Sequence, residues 1–345
     1  MIITRHIRMR NVIALSGYHL LWLTGWAVVV TTAYAFLEWQ WLGIPWLPIA
    51  VIATAVAFYI NFKNNQSYDR LWEARKIWGA IVNSSRAWGA CVRALTIDPD
   101  ASADHPEDTL PNFKRRLIYR HIAWLYTLRR QLLAPTPWEH VNLGSRTAKI
   151  ARTRIEQYGI GQFAEEADAV KMADLLPEKE HQRLLTVANA ATQIIDLQSR
   201  DLQTLRARDR LDGFGQMQLQ RILNDFLNHQ GACERINKTP FPRQYGAMSR
   251  NFVLIFIFFL PFGMVFEFAK SGAVTTWLAV PFTVLVGWFY LVMEAIGDHS
   301  ESPFEGCIHD VPMLALCRTI EIDLREMLEE TAIPQPIAAR KGILL

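Results

Sequence analysis

The sequence lacks the common signatures of catalysis. It holds no G-x-x-x-x-G-K-[ST], no G-x-G-x-x-G, no H-E-x-x-H and no G-x-S-x-G. These absences remove the usual phosphate-cradling loops, zinc helices and nucleophile elbows, so the expected class is not an enzyme and no cofactor is expected. Cysteine is scarce: Cys91, Cys233, Cys307 and Cys317 are isolated, and the reading below puts all four on the reducing side of a membrane. Charge is modest as well. Charged residues make up 20% of 345 residues, below the roughly 25% of a soluble domain. A formal net charge of +3 is too small to argue for a nucleic-acid partner. No stretch alternates as a strand would, and no internal repeat or low-complexity tract occurs.

The sequence does contain long apolar runs. Tyr18–Phe36, Ile44–Phe62, Phe252–Phe268 and Ala273–Met293 each approach the roughly 20 residues a helix needs to cross about 30 Å of hydrocarbon. Only Glu267 interrupts them. Pro261 falls in the third run, where neighbouring helices must satisfy the carbonyl it frees. Arg5, Arg8 and Arg10 followed by Ala33-Tyr34-Ala35 could be read as a signal peptide. The first run exceeds a signal h-region, however, and three more spans follow, so a retained helix is the expectation.

Lys and Arg set the orientation. Arg5, Arg8 and Arg10 precede span one, Lys63, Arg70, Arg75 and Lys76 follow span two, and Arg235, Lys238, Arg243 and Arg250 precede span three. The two short turns carry only Glu38 and Lys270. Both termini and the long middle segment are therefore expected in the cytoplasm. Trp39, Trp41 and Trp46 suit an interfacial aromatic belt at the outer end.

The middle segment is too long for a linker. Ser67–Leu95, Asn112–Leu133, Lys179–Leu205 and Met217–Asn237 carry apolar residues at helical spacing. Breakers separate them at Asp98-Pro99-Asp100, Pro106, Pro135 with Pro137, Gly213 with Gly215, and Pro240 with Pro242. Pro334 and Pro336 predict a loose tail after Thr331. The expected fold is all-α: residues 1–62 an N-terminal segment and first hairpin, 63–250 a cytoplasmic helical domain, 251–296 a second hairpin and 297–345 a cytoplasmic C-terminal segment.

Span two is the candidate pore liner. On a helix Val51, Ala55, Phe58 and Phe62 share one narrow face, bordered by Tyr59. Ala50, Ala53, Thr54 and Ala57 would let copies approach closely, and an apolar ring could gate by dewetting. Taken alone, an apolar face on a membrane helix usually meets lipid. Near span four, His299, His309 and Asp310 lie beside Asp298, Glu301 and Glu305, as a metal site or as a solvated loop.

Directly after span two the chain reads Phe62-Lys63-Asn64-Asn65-Gln66-Ser67-Tyr68-Asp69-Arg70-Leu71-Trp72-Glu73-Ala74-Arg75-Lys76-Ile77-Trp78-Gly79. This resembles the bacterial branch of the bestrophin family, which has Tyr-x-Arg, Glu-Ala-Arg and Trp-Gly in that order after an aromatic, a basic residue and Asn. Gly231-Ala232-Cys233-Glu234-Arg235 with Thr239-Pro240-Phe241-Pro242, Leu260-Pro261-Phe262, and Ser302-Pro303-Phe304 with His309-Asp310-Val311-Pro312 agree with it as well. The resemblance runs over nearly the whole chain.

It implies a homopentameric ion channel of the bacterial inner membrane, whose partners are its own copies, the lipid bilayer and small ions. Anions such as chloride are favoured, and monovalent cations remain an alternative. The family's neck rings fall on Val51, Ala55 and Tyr59, or on Phe58 if the register slips by one, with Phe62 as the anchor. The inner aperture falls at Phe214, with Gly213 and Gly215 suited to a tight turn. Lys63 and Arg70 would favour anions, opposed by Asp69 and Glu73. Calcium activation is not expected: of the acidic cluster that holds calcium in animal members only Glu305 and Asp310 remain, where calcium takes about six to eight oxygen ligands. The competing reading is a membrane-anchored signalling or scaffold protein that conducts nothing.

Overall fold

The computed structural model describes residues 1–3, 9–97, 109–142 and 145–345, with the side chains of 9–15, 145–147, 243 and 247 excepted. Arg5, Arg8 and the breakers Asp98-Pro99-Asp100 and Pro106 lie outside the described residues, as does the side chain of Arg10. The helices are α1 (Met9–Phe36), α2 (Trp46–Leu95), α3 (Leu110–Leu132), α4 (Ser145–Tyr158), α5 (Ala164–Asp168), α6 (Met172–Leu175), α7 (Glu178–Leu185), α8 (Ala190–Ala207), α9 (Gly213–Lys238), α10 (Arg243–Ala269), α11 (Ala273–Thr276), α12 (Ala279–Ser300) and α13 (Met313–Met327). Only isolated β-bridges occur among the described residues. The fold is all-α, and four of its helical segments are long and apolar enough to cross a membrane.

The chain forms two compact units, one of residues 4–71 and 240–301, the other of 1–3, 72–239 and 302–345. In the first, Leu23, Ile49, Val56, Ile60, Val253, Phe256, Ile257 and Leu260 make one apolar core drawn from α1, α2 and α10. Gly263 lets α10 approach α2, because a Cβ there would collide with Ile49. Pro261 sits inside α10. Carbonyls on either side of it take donors from outside the helix: Trp26 Nε1 donates to Phe258 O at 3.2 Å, and the Ile44 N–H to Phe262 O at 3.3 Å. The fourth run is not one helix from Ala273. It is the single turn α11 followed by α12, which reaches Ser300, beyond the expected end at Met293.

The largest departure from the sequence reading is α2. Span two and the helix expected from Ser67 are one element of 50 residues, about 75 Å long at 1.5 Å per residue. Between Ile49 and Trp78 there is neither Gly nor Pro. The buried residues Ile49, Val56, Ile60, Lys63, Ser67, Ala74, Trp78, Ile81, Ser85, Trp88 and Val92 keep helical register throughout. The polar run Asn64-Asn65-Gln66-Ser67 therefore marks a change of surroundings and not a break in the helix.

The second unit packs around α3. Trp88, His121, Trp124 and Phe226 form an aromatic stack, with His121 and Phe226 centroids 4.3 Å apart. His121 is fully buried, its Nε2 2.8 Å from Ser85 Oγ, and burial drives its pKa down to about 3, so the ring is neutral. The segment expected as one helix from Lys179 to Leu205 divides into α7 and α8. The first ends at Leu185 with Thr186 as its C-cap, and Asn189 caps the second, its side chain accepting from the Thr192 N–H at 3.1 Å. The tail after Thr331 is irregular but packed. Arg318 Nη1 donates to Gln335 O at 3.0 Å, the Ala315 N–H donates to Leu345 O at 2.9 Å, and Ile337 and Leu345 are buried.

Candidate ion pathway

The burial pattern of α2 divides it lengthwise. One side enters the core. On the other, Leu47, Val51, Ala55, Phe58 and Phe62 are exposed, followed by Asn61, Asn65 and Asp69. At 100° per residue these positions stay within one side of the helix. The upper part is apolar and the lower part polar.

The two adjacent aromatic residues of the expected neck differ in their surroundings. Phe58 is 73% exposed. Tyr59 is half-buried and turned toward α10, with its ring 5.3 Å from that of Phe252, edge to face, and 6.3 Å from that of Tyr245. Phe62 shares the exposed face and touches Tyr245 at 5.5 Å. The exposed face thus carries Val51, Ala55, Phe58 and Phe62, with Tyr59 behind it. Ile52 also points inward, against the apolar core.

Below Phe62 lies a charged clamp that sequence reading missed. The Lys63 side chain is only 1% exposed, and its Nζ sits 2.7 Å from Glu294 Oε1 and 3.4 Å from Asp298 Oδ1. Ser249 Oγ donates to the other oxygen of Glu294 at 2.5 Å. Asn64 Nδ2 donates to Met293 O at 3.2 Å, and a Cβ at Gly297 would strike Asn64 Oδ1. The clamp joins α2, α10 and α12. It also removes Lys63 from the charges that could attract a passing anion, because its ammonium is enclosed and neutralised. The available signal was a pair of ionisable residues of opposite sign at the ends of two apolar runs, which inside a membrane bundle imply a partner.

In the second unit Glu73 is matched by Arg235, with Nη2 to Oε1 at 2.6 Å. Asp69 stays exposed in the first unit. Phe214 is 84% exposed in the first turn of α9. Gly213 and Gly215 do not make the tight turn expected of them. They open the helix, capped by Asp212, whose Oδ1 accepts from the Gly215 N–H at 2.6 Å. A Cβ at Gly215 would meet Asp212 Oδ1 at 2.7 Å and Leu211 Cδ1 at 2.9 Å, so a larger residue there would have to displace the capping side chain.

Asp310 is buried, not part of a solvated loop. Its Oδ2 accepts from the Cys307 N–H at 2.9 Å, and burial pushes its carboxyl well above the usual range. Glu305 Oε2 lies 3.1 Å from His140 Nδ1. Burial first, then the nearby Glu305, raises Glu139 to about 7. Among the described residues no group of three or more His, Cys, Asp and Glu side chains is placed to hold a metal ion.

Known proteins resemble this chain along most of its length. The voltage-dependent anion channel-forming protein mll4386 of Mesorhizobium japonicum is 25% identical over 320 residues, 92% of this chain and 87% of that protein. The voltage-dependent anion channel-forming protein YneE of Escherichia coli K12 is 26% identical over 291 residues, 84% of this chain and 79% of that one. A crystal structure of a bacterial bestrophin homologue from Klebsiella pneumoniae superposes with a TM-score of 0.71 at 22% identity, covering 91% of this chain and 98% of the other, and so shares the fold. The family model for bacterial and fungal bestrophin proteins matches residues 8–326. On that match, with the fold behind it, the chain belongs to the bacterial and fungal bestrophin family.

Proposed function

We propose that the protein is a pentameric anion channel of the bacterial inner membrane, and that the exposed face of α2 lines its pore. Enzyme chemistry has no part in it, as family membership already implies. The observation that carries this reading is the face itself: Val51, Ala55, Phe58 and Phe62 stand exposed on one side of α2 while its other side fills a core. Five copies packed about an axis would turn that face into an apolar neck, which excludes ions by losing water. Phe214 would form a second narrow point on the cytoplasmic side. The names of mll4386 and YneE support anions as the cargo. Calcium is not part of the proposed mechanism.

Purified protein in a planar bilayer under a potassium chloride gradient tests the reading. Current reversing on the chloride side of zero supports it, and reversal on the potassium side makes the channel a cation channel. A silent protein that remains a closed oligomer in mild detergent is the result expected of a scaffold.

Both termini and the second unit are proposed to be cytoplasmic, from the basic flanks of the spans. Reporter fusions at Glu38 and at the C-terminus are expected to report opposite sides. The same side for both would contradict a four-span topology.

A further inference from the structure

The lower part of α2 is basic. Between Glu73 and Asp98 the chain carries Arg75, Lys76, Arg86 and Arg93 and no acid, although its acids and bases nearly balance overall, 33 against 36. Three of these bases meet at one place. In the second unit an open cleft of about 620 Å³ runs between α2 and α13, lined by Arg75, Lys76, Asn83 and Arg86 from the first and by Leu316 and Thr319 from the second. Its size falls within the roughly 300–1,000 Å³ of small-ligand sites. Gly79 lines it too and leaves room for a guanidinium: Arg75 Nη1 lies 3.8 Å from the point a Cβ would occupy.

The charges around the cleft do not cancel. Arg86 Nε meets Asp323 Oδ2 at 2.7 Å, but the two Nη groups of Arg86 make no hydrogen bond among the described residues. Arg75 is half-buried and Lys76 exposed, and among the described residues no ion pair reaches either. The other acids of the neighbourhood are engaged or lie outside. Glu73 is held by Arg235. Glu321 is 3% exposed and turned toward Tyr126, Arg318 and Arg325. Glu326 is exposed further along α13 and does not line the cleft. Against the carboxylate of Asp323 the cleft therefore sets three cations, two of them unpaired.

We propose that this cleft binds a soluble phosphate-bearing anion of more than one charge, about the size of pyrophosphate. A guanidinium takes phosphate oxygens in pairs, an ammonium adds a compact charge, and the Asn83 amide can donate one more hydrogen bond. Chloride has no pair of oxygens for a guanidinium fork and gains less. Position disfavours a lipid headgroup. Arg75 stands thirteen positions beyond Phe62, where the apolar run ends, or about 20 Å along α2. The headgroup layer is only about 5–8 Å deep on each side of the hydrocarbon. Binding here involves the second unit alone and is independent of conduction.

Calorimetric titration of inorganic pyrophosphate into the full-length oligomer in mild detergent, at fixed ionic strength, is the test. Saturable binding at one site per subunit is expected. Arg75→Gln and Lys76→Gln, made singly, should each weaken it about ten-fold, the usual scale for a lost charge-assisted hydrogen bond. Asp323→Asn releases the whole Arg86 guanidinium and should tighten binding several-fold. Arg93, exposed on α2 and paired with Glu329 at 3.2 Å, lies outside the cleft, so Arg93→Gln should keep the parent's dissociation constant. No saturable binding, as when a neighbouring copy covers the cleft, overturns the proposal. An equal loss in Arg93→Gln overturns it too, since net charge would then suffice. Binding that Asp323→Asn fails to tighten does the same, even where an Arg75 or Lys76 variant does not fold. A short-chain phosphatidylglycerol that binds through Arg75 and Lys76 where pyrophosphate does not would give the site to lipid and overturn the soluble ligand.

Discussion

Lys63→Met is expected to destabilise the membrane unit by about 3–5 kcal/mol, the usual cost of removing one partner from a buried ion pair. Lys63 Nζ and Glu294 Oε1 are 2.7 Å apart, and both side chains are nearly enclosed. Without the ammonium, Glu294 keeps one hydrogen bond from Ser249 and an uncompensated charge beside Asp298. The double variant Lys63→Met with Glu294→Met removes both charges and should recover most of the loss, because a buried pair can often be replaced by apolar groups at little cost. Thermal unfolding of detergent-purified protein, followed by size exclusion, reads the cycle. A Lys63→Met midpoint equal to the parent's would show that the pair is not a structural clamp. So would a double variant as weak as the two single losses combined.

Much of this architecture was legible in the sequence, and particular residues show why. The spans were visible because a run such as Tyr18–Phe36 has no reason to lack charge in water. The length of α2 was not, because a polar run after an apolar one looks like a boundary. Only the buried positions Lys63, Ser67 and Ala74 show that helical register continues. The break between Leu185 and Ala190 was missed because the apolar residues on either side keep helical spacing, while the capping bond of Asn189 is local. The packed tail was missed because Pro334 and Pro336 exclude helix without saying what irregular chain can cover. At the candidate pore, Phe58 and Tyr59 are adjacent aromatic residues, so counting from Phe62 could not tell their surroundings apart. Coordinates do, since Tyr59 meets Phe252 and Tyr245 and Phe58 is exposed. Phe214 was found from family spacing, but its place in a capped first helical turn needed coordinates. Glu294 was overlooked because it lies one residue past the apolar run, where an acid reads as solvated.

Removing the bulk of Phe58 should open the neck. Phe58 is the largest side chain on the exposed face of α2 between Val51 and Phe62, and its ring makes no core contact that its loss would disturb. If copies of that face surround the pore, Phe58→Ala widens the apolar gap in every subunit at once and lowers the cost of filling it with water. The expected rise in chloride current at fixed voltage is on the order of ten-fold, equivalent to about 1.4 kcal/mol off the barrier. Tyr59→Ala removes a ring packed against α10. It should cost stability and leave conductance near the parent value once matched for assembled protein. Val29, exposed on α1 and not part of the proposed pore face of α2, supplies a control for loss of apolar bulk at an exposed membrane position. The most direct test is single-channel recording of the parent, Phe58→Ala, Tyr59→Ala and Val29→Ala in symmetric chloride. The predicted result is a clear gain in open probability or leak for Phe58→Ala alone. Equal currents from all four proteins, or a gain confined to Tyr59→Ala, would contradict the assignment of this face of α2 to the pore.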